Sequence, residues 1–128
     1  MMFDFTEYIK LANTLNKNTD EASKRSAVSR AYYGALMHTK KYLIENDKKI
    51  DSSENSHEAI WYTLQKLGKK EEIIANMGFA LKNKRKNADY ESKIKENIHS
   101  WSMHAIFNAN AIVNQINALK KSNSPKKK

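Results

Sequence analysis

The chain has 128 residues, which is enough for one domain with a single hydrophobic core and too few for two ordinary ones. It contains no cysteine, so disulfide bonds, thiolate metal ligands and cysteine nucleophiles are excluded. No stretch approaches the roughly 18 apolar residues that cross a membrane, and the first residues lack the pattern of a secretory leader. We therefore expect a soluble, cytoplasmic protein with no membrane partner.

The net charge of +9 is confined to the second half of the chain. Residues 1–64 carry nine Lys or Arg and nine Asp or Glu, whereas residues 65–128 carry fourteen and five. Four of these basic residues crowd into positions 82–86, and five lie at the C-terminal end. Basic side chains gain affinity for a polyanion by releasing its counterions, so this asymmetry favours a polyanionic partner. The alternative is a solubilising surface with a basic tail.

Apolar residues recur three and four positions apart along most of the chain, and there are only three Gly and one Pro. This pattern is typical of helices. We predict an all-α, up-and-down bundle of five helices over residues 5–15, 20–46, 56–67, 70–90 and 92–121. The helical domain should span residues 1–121, with a polar loop over 46–56 and a disordered basic tail over 122–128.

Residues with capping preferences mark several of the predicted helix ends. Asp4 or Thr6 can cap the first helix, and Asp20 or Thr19 can cap the second. Gly68 is well placed to follow the C-cap of the third helix. On the fourth helix, Gly78 allows a close contact, and the residues expected to face inward are Ile73, Ile74, Met77, Ala80 and Leu81.

The second and fifth helices are predicted to form the core of the bundle. Small residues along the second helix permit close approach of its neighbours, and Tyr32 lies on its apolar stripe. Trp101 lies on the apolar stripe of the fifth helix, so we expect both aromatic side chains to be buried. The fifth helix has further apolar residues beside its stripe, which suggest a homodimer contact, at Ile106, Phe107 and Val113.

Two six-residue segments stand out as motifs. Residues 29–34 read Ser-Arg-Ala-Tyr-Tyr-Gly, and residues 85–90 read Arg-Lys-Asn-Ala-Asp-Tyr. Together they resemble the signature of the HEPN domain family in its short, free-standing branch, where S-R-A-Y-Y-A precedes R-x-x-A-D-Y. The resemblance covers nearly the whole chain. It implies a two-fold symmetric helical protein of a prokaryotic toxin–antitoxin, CRISPR-linked or phage-defence system.

The resemblance also implies a chemistry. Catalytic members of the family look like metal-independent endoribonucleases, in which an Arg and a His a few residues after it face a groove shared by two subunits. Arg binds phosphate, imidazole moves protons near neutral pH, and RNA supplies its own 2′-hydroxyl. Arg85 matches the arginine, but Tyr90 occupies the first position expected for the histidine. Arg85 and Tyr90 are therefore the candidate catalytic residues, with His57 or His38 as candidate sources of the missing imidazole.

Further candidate site residues follow from the motifs and from helical spacing. The candidate nucleic-acid-binding residues are Lys82, Lys84, Arg85 and Lys86. Arg30 and Tyr33 are expected to line the same cleft, and Asp89 shares a face with Arg85 if the fourth helix persists that far. The alternatives are that Arg30 satisfies a buried carboxylate, that Tyr33 fills the core, and that the lysines form a solvated helix end.

No metal or cofactor site is expected, because the four histidines at positions 38, 57, 99 and 104 have no ligand spacing. Three hypotheses remain, in this order. The first is a HEPN protein that binds RNA or nucleotide in a basic dimer cleft, with weak or no ribonuclease activity because the histidine is missing. The second is an active metal-independent endoribonuclease toxin. The third is a helical interaction module paired with a nucleotidyltransferase or an antitoxin.

Overall fold

The computed structural model describes residues 2–50 and 56–123, without the side chains of residues 56, 122 and 123. Five helices make up this part of the chain: α1 (Glu7–Asn16), α2 (Glu21–Glu45), α3 (Ser56–Gln65), α4 (Lys69–Tyr90) and α5 (Ile98–Asn123). No strand occurs in these ranges, so the predicted all-α bundle is confirmed. None of the described helices is long and apolar enough to cross a bilayer. Part of the predicted loop (51–55) and most of the predicted tail (124–128) lie outside the described residues.

Helix α2 is the centre of the bundle and packs against each of the other four helices. Its inward side chains Ala27, Ala31 and Ala35 are fully buried, and their small size lets neighbouring helices approach closely. Gly34 has the same effect toward α1, because a Cβ atom there would lie 2.7 Å from Ile9 Cγ1. The close packing of α1 on α2 therefore depends on a residue without a side chain.

The first two helices begin with different capping arrangements. Asp20 is the N-cap of α2, as predicted, and its carboxylate accepts a hydrogen bond from the backbone N–H of Ser23 at 2.9 Å. Thr6 occupies the N-cap position of α1 but makes no side-chain capping bond. The carboxylate of Asp4 instead accepts from the Thr6 N–H at 2.9 Å and from the Thr6 hydroxyl at 2.7 Å. Asp4 therefore organises the turn that precedes α1.

Two consecutive side chains of α2 bind the C-terminal ends of other helices. Lys24 donates to the backbone oxygen of Asn16, the last residue of α1, at 2.8 Å. The guanidinium of Arg25 donates to backbone oxygens at the end of α4 and just after it, on Ala88, Glu91 and Ser92. The last carbonyls of a helix lack intrahelical partners and carry partial negative charge, so cations stabilise them. One turn of α2 thus fixes the ends of α1 and α4.

Helix α5 begins at Ile98, so the predicted start at residue 92 is wrong. The chain leaves α4 in an extended conformation at Glu91, whose backbone oxygen is bonded to Arg25. The Asn97 side chain then accepts from the backbone N–H of Ser100 at 3.0 Å, at the start of the new helix. Ile94 packs against the core from the connecting segment. The predicted start at residue 92 included Ile94 because it lies four residues before Ile98, and that helical spacing was misleading.

The end of α3 also differs from the prediction. The helix stops at Gln65, and Gly68 is the N-cap of α4 rather than the residue after the C-cap of α3. The Trp61 side chain of α3, which the apolar spacing did not mark as inward, is fully buried. Its indole lies on Gly78 of α4, where a Cβ atom would overlap the ring. The close contact expected at Gly78 is therefore confirmed, with Trp61 as the partner.

The burial of Tyr32 and Trp101 is confirmed, at 0% and 6% exposed. On α4, Ile74 and Leu81 face inward as predicted, but Ile73 is 57% exposed and Ala80 is exposed. Two of the three side chains expected to form a dimer face on α5, Ile106 and Val113, are buried within the chain itself, whereas Phe107 is 71% exposed. The extra apolar width of α5 is thus largely used inside one chain.

We predict that Gly78→Ala destabilises the fold, because the added methyl group overlaps the Trp61 ring. Overpacking of this kind costs about 1 to 3 kcal/mol, even though Ala is about 1 kcal/mol better than Gly in an unhindered helix. Chemical denaturation measures the free energy of unfolding. Ala80→Gly, at an exposed position of the same helix, is the control for helix propensity. The destabilisation should shrink in a Trp61→Phe background, and a Gly78→Ala variant more stable than the wild type would contradict the contact.

Candidate functional site

The two sequence motifs meet in space where α2 packs against α4. The guanidinium carbon of Arg85 lies 5.7 Å from the ring centroid of Tyr33 and 5.8 Å from that of Tyr32. These distances are in the range of cation–π contacts, which strengthen when the cation is partly removed from water. The Arg85 side chain is 12% exposed. The predicted approach of Tyr33 to Arg85 is therefore present within a single chain.

Among the described residues, Asp89 is the hydrogen-bond partner of Arg85, so most of the guanidinium donors are not used there. Nη1 donates to Asp89 Oδ2 at 3.0 Å, which places Arg85 and Asp89 on one face of α4 as expected for i and i+4. Nε is buried and has no hydrogen-bond partner among the described residues. A buried donor without an acceptor costs about 1 to 3 kcal/mol, and the two tyrosine rings offset part of this cost. The hydrogen bonds of Arg85 alone therefore do not account for its buried position.

His57, at the start of α3, packs against the same two tyrosines. Its ring centroid lies 5.6 Å from that of Tyr32 and 5.5 Å from that of Tyr33. Burial lowers the pKa of His57 below its ordinary value, and the positive charges of Arg85 and Lys82 lower it further. The imidazole is therefore neutral at pH 7. We name the group Tyr32, Tyr33, His57, Lys82 and Arg85 the arginine cluster.

A short chain of polar contacts connects the arginine cluster to the core. The indole N–H of Trp61 donates to the Tyr32 hydroxyl at 3.1 Å, and that hydroxyl lies 3.5 Å from His57 Nδ1. Burial raises the pKa of Tyr32 far above its ordinary value, so the hydroxyl keeps its proton. A protonated hydroxyl facing the imidazole helps to orient the ring. Trp61 and Tyr32 thus support the His57 ring from the side that faces the core.

Each cation of the arginine cluster has a carboxylate next to it. Lys82 donates to Glu58 of α3 at 2.9 Å, and Arg85 donates to Asp89. The Lys82 side chain is 15% exposed and that of Glu58 is 40% exposed, so the ion pair lies at the edge of the cluster. Glu58 and Trp61 are the residues of this site that the sequence analysis missed. No sequence signal marks them, because both act across a helix interface rather than along one helix.

The remaining candidates lie in different surroundings. Lys84 turns toward α5, where it donates to the backbone oxygen of Trp101 at 3.2 Å and lies 5.5 Å from the Trp101 ring centroid. Lys86 is exposed, and Tyr90, at the end of α4, is 72% exposed. The exposed Arg30 lies 5.7 Å from the ring centroid of Tyr8 on α1. The basic stretch 82–86 is therefore divided between two faces of α4.

The second candidate imidazole, His38, lies between α2 and α5. It is 8% exposed, and its Nε2 lies 2.8 Å from the side-chain oxygen of Asn117. Burial lowers the pKa of His38, so this ring is also held neutral. Its contacts are those of a buried packing residue. Of the two histidines, His57 is the one that shares its aromatic neighbours with Arg85.

The arrangement has the parts needed to bind and polarise a phosphodiester. Arg85 supplies directional donors, Lys82 supplies a second positive charge, and the neutral imidazole of His57 is able to accept or donate a proton. Among the described residues, no group of three His, Cys, Asp or Glu side chains is arranged to hold a metal ion. The chain matches no known family model, no curated protein and no solved structure in the three comparisons.

Proposed function

We propose that this protein is a HEPN-type protein that binds RNA through the arginine cluster, with weak or no ribonuclease activity, in a prokaryotic toxin–antitoxin or phage-defence system. The observation that carries the proposal is the shared contact of Arg85 and His57 with Tyr32 and Tyr33. It brings the S-R-A-Y-Y and R-x-x-A-D-Y motifs and an imidazole to one place. A phosphate group suits this set of residues better than any neutral ligand.

Phosphate binding follows from the geometry of the guanidinium. Arg85 uses one of its five N–H donors on Asp89, and a phosphate oxygen accepts from such donors in a bidentate manner. The exposed Lys86 and Tyr90 lie next to this face of α4, where Tyr90 can donate its hydroxyl proton to a neighbouring phosphate. The basic excess in residues 65–128 supplies the long-range attraction for a polyanion. A free nucleotide carries fewer phosphates than a strand, so it should bind to these contacts much more weakly than RNA does.

Metal-independent cleavage of RNA is a second candidate function. The specific observation in its favour is that His57 stands beside Arg85 although it comes from α3, outside the R-x-x-A-D-Y motif. A neutral imidazole next to a phosphate-binding arginine can remove the 2′-hydroxyl proton of RNA. The expected histidine position on α4 holds Tyr90, so His57 is the group that would supply the chemistry.

The proposal includes a homodimer, because HEPN proteins look like two-fold symmetric dimers with a shared groove. Phe107 and Met103 of α5 are 71% and 50% exposed, which is high for large apolar side chains. The exposed Tyr90 lies at the end of α4. We place the interface over the exposed side of α5 and the end of α4, with Arg85 and Tyr90 near their counterparts.

We predict that Arg85→Gln and Lys82→Gln each weaken binding of single-stranded RNA in a salt-dependent manner. The slope of log affinity against log salt should fall by about 0.7 for each phosphate contact that the substitution removes. Fluorescence anisotropy with a labelled oligonucleotide over a salt series measures both quantities. Lys69→Gln is the matched control, because it removes the same charge from an exposed position at the other end of α4 and should leave the slope unchanged.

Glu58→Gln provides the opposite test. It frees Lys82 from its ion pair, so RNA should bind to this variant more tightly than to the wild type.

Absent or salt-insensitive RNA binding by the wild type would contradict the proposal. In that case the exposed helix faces would favour an interaction module paired with a nucleotidyltransferase or an antitoxin, and an exposed Tyr90 would be a candidate acceptor of a nucleotidyl group.

If the second candidate function holds, cleavage of total RNA persists in EDTA and slows by about a hundredfold or more in His57→Gln. Burial and the neighbouring cations lower the pKa of His57, so its basic form persists below pH 6.5 and is lost as pH falls through the lowered pKa. The rate should therefore stay level near pH 7 and decline only at more acidic pH. Tyr90→Phe keeps the ring and tests the hydroxyl. Cleavage unchanged in His57→Gln would exclude this residue as the base.

We predict a homodimer in solution, measured by light scattering coupled to size-exclusion chromatography at micromolar concentration. Phe107→Ser should shift the population toward monomer, because it removes the most exposed aromatic ring of α5. Tyr62→Ser, at a side chain of α3 that is 46% exposed, is the control for a general effect of polar substitution. A monomeric wild-type protein would remove the shared groove from the proposal.

A further inference from the structure

A second polar site lies away from the arginine cluster, around the ammonium group of Lys24. Although Lys24 is only 6% exposed, no carboxylate of the described residues lies within ion-pair distance of it. The two acidic residues one turn earlier are engaged elsewhere. Asp20 binds Ser23, and Glu21 binds Arg25. Lys24 is thus a buried cation without an ion pair among the described residues, although Asp20 attracts it from beyond ion-pair distance.

The hydrogen-bond partners of Lys24 among the described residues are carbonyl oxygens and an imidazole nitrogen. Its Nζ lies 2.8 Å from the backbone oxygen of Asn16, 2.9 Å from His99 Nδ1 and 3.4 Å from Asn16 Oδ1. The C-terminal end of α1 supplies only partial negative charge. A buried charge is costly unless it is paired and hydrogen-bonded, and here the hydrogen bonds are present without an ion pair among the described residues. An anion bound at Lys24 would supply that pair.

Lys24 lines a recess of about 960 Å³ between the α1–α2 turn and the start of α5. This volume is in the range of small-molecule sites. Lys17 lines it too, and none of its described lining residues is acidic. Amide side chains supply most of the remaining polar groups, at Asn13, Asn16, Asn18 and Asn97. Ile98 and Met103 add an apolar edge. The recess therefore has positive charge, hydrogen-bonding groups and an apolar edge.

We propose that this recess, the asparagine recess, binds a small molecule that carries a phosphate monoester, with the phosphate at Lys24 and Lys17. The contact from Lys24 to Asn16 Oδ1 is the longest of its three, so a phosphate oxygen can replace it. Asn16 Oδ1 remains satisfied after that exchange, because it accepts from the Ser102 hydroxyl at 2.6 Å. Anion binding thus leaves no buried polar atom of this group without a partner.

The size and lining of the asparagine recess describe the rest of the ligand. Side-chain amides both donate and accept, so they suit a polar body such as a sugar or a base. The volume leaves room for such a body beside the phosphate group. Inorganic phosphate, a sugar phosphate and a nucleoside monophosphate share the same anionic group and differ in the body. Comparing the affinities of these three ligands shows which body the asparagine recess prefers.

The test is isothermal titration calorimetry of the full chain at constant ionic strength, with inorganic phosphate, a sugar phosphate and a nucleoside monophosphate as the three probes. We expect saturable binding in a one-to-one ratio, accompanied by a higher melting temperature. Asn13→Asp places a carboxylate in the lining, and Lys17→Gln removes a cation. Both positions are exposed, so the fold should be retained, and each variant should bind about fivefold or more weakly. Lys24→Met should abolish binding if that variant folds, as judged by circular dichroism.

Arg85→Gln is the control that separates the asparagine recess from the arginine cluster, and Lys69→Gln controls for net charge. Both should bind the probes as the wild type does. The proposal is overturned if the wild type shows no saturable binding of any probe. It is also overturned if Asn13→Asp and Lys17→Gln bind unchanged, or if Arg85→Gln loses as much affinity as they do.

Discussion

The contact between the Trp61 indole and Gly78 is the constraint on which the candidate site depends. It sets the closest approach of α3 to α4, because the ring occupies the space of a side chain at position 78. The indole N–H is used on the Tyr32 hydroxyl of α2, so the same residue joins three helices. His57 lies one turn before Trp61 on α3, and Arg85 lies two turns after Gly78 on α4. Their common contact with the tyrosines follows from this packing.

The charges of the arginine cluster are balanced before any ligand arrives. Glu58 and Asp89 hold Lys82 and Arg85 in place, and the tyrosine rings face the guanidinium. This balance stabilises cations that are largely removed from water, where an unpaired charge would be costly. It also means that a polyanion must compete with two carboxylates for the same cations, although Arg85 keeps further N–H donors for a phosphate. Affinity then depends on several phosphates acting together, which favours a strand over a single phosphate group.

Sequence periodicity was sufficient for the helices and for the burial of Tyr32 and Trp101, because these depend on spacing along one helix. It failed at the start of α5, where Arg25 binds backbone oxygens just beyond α4 and keeps the chain extended. It also failed for Trp61 and for the meeting of His57 with Arg85. Those contacts depend on how helices are rotated against each other. A single sequence without a pairing signal between helices does not contain that information.

The two basic sites differ in the groups that contact their buried cation. At Arg85 the charge is met by a carboxylate and aromatic rings, although the buried Nε has no acceptor among the described residues. At Lys24 the hydrogen-bond partners among the described residues are amide and imidazole atoms, beside an open recess. A ligand at Arg85 exchanges one ion-pair partner for another, whereas an anion at Lys24 adds an ion pair where the described residues form none. The difference in binding affinity between the two sites should therefore be larger for small anions than for RNA.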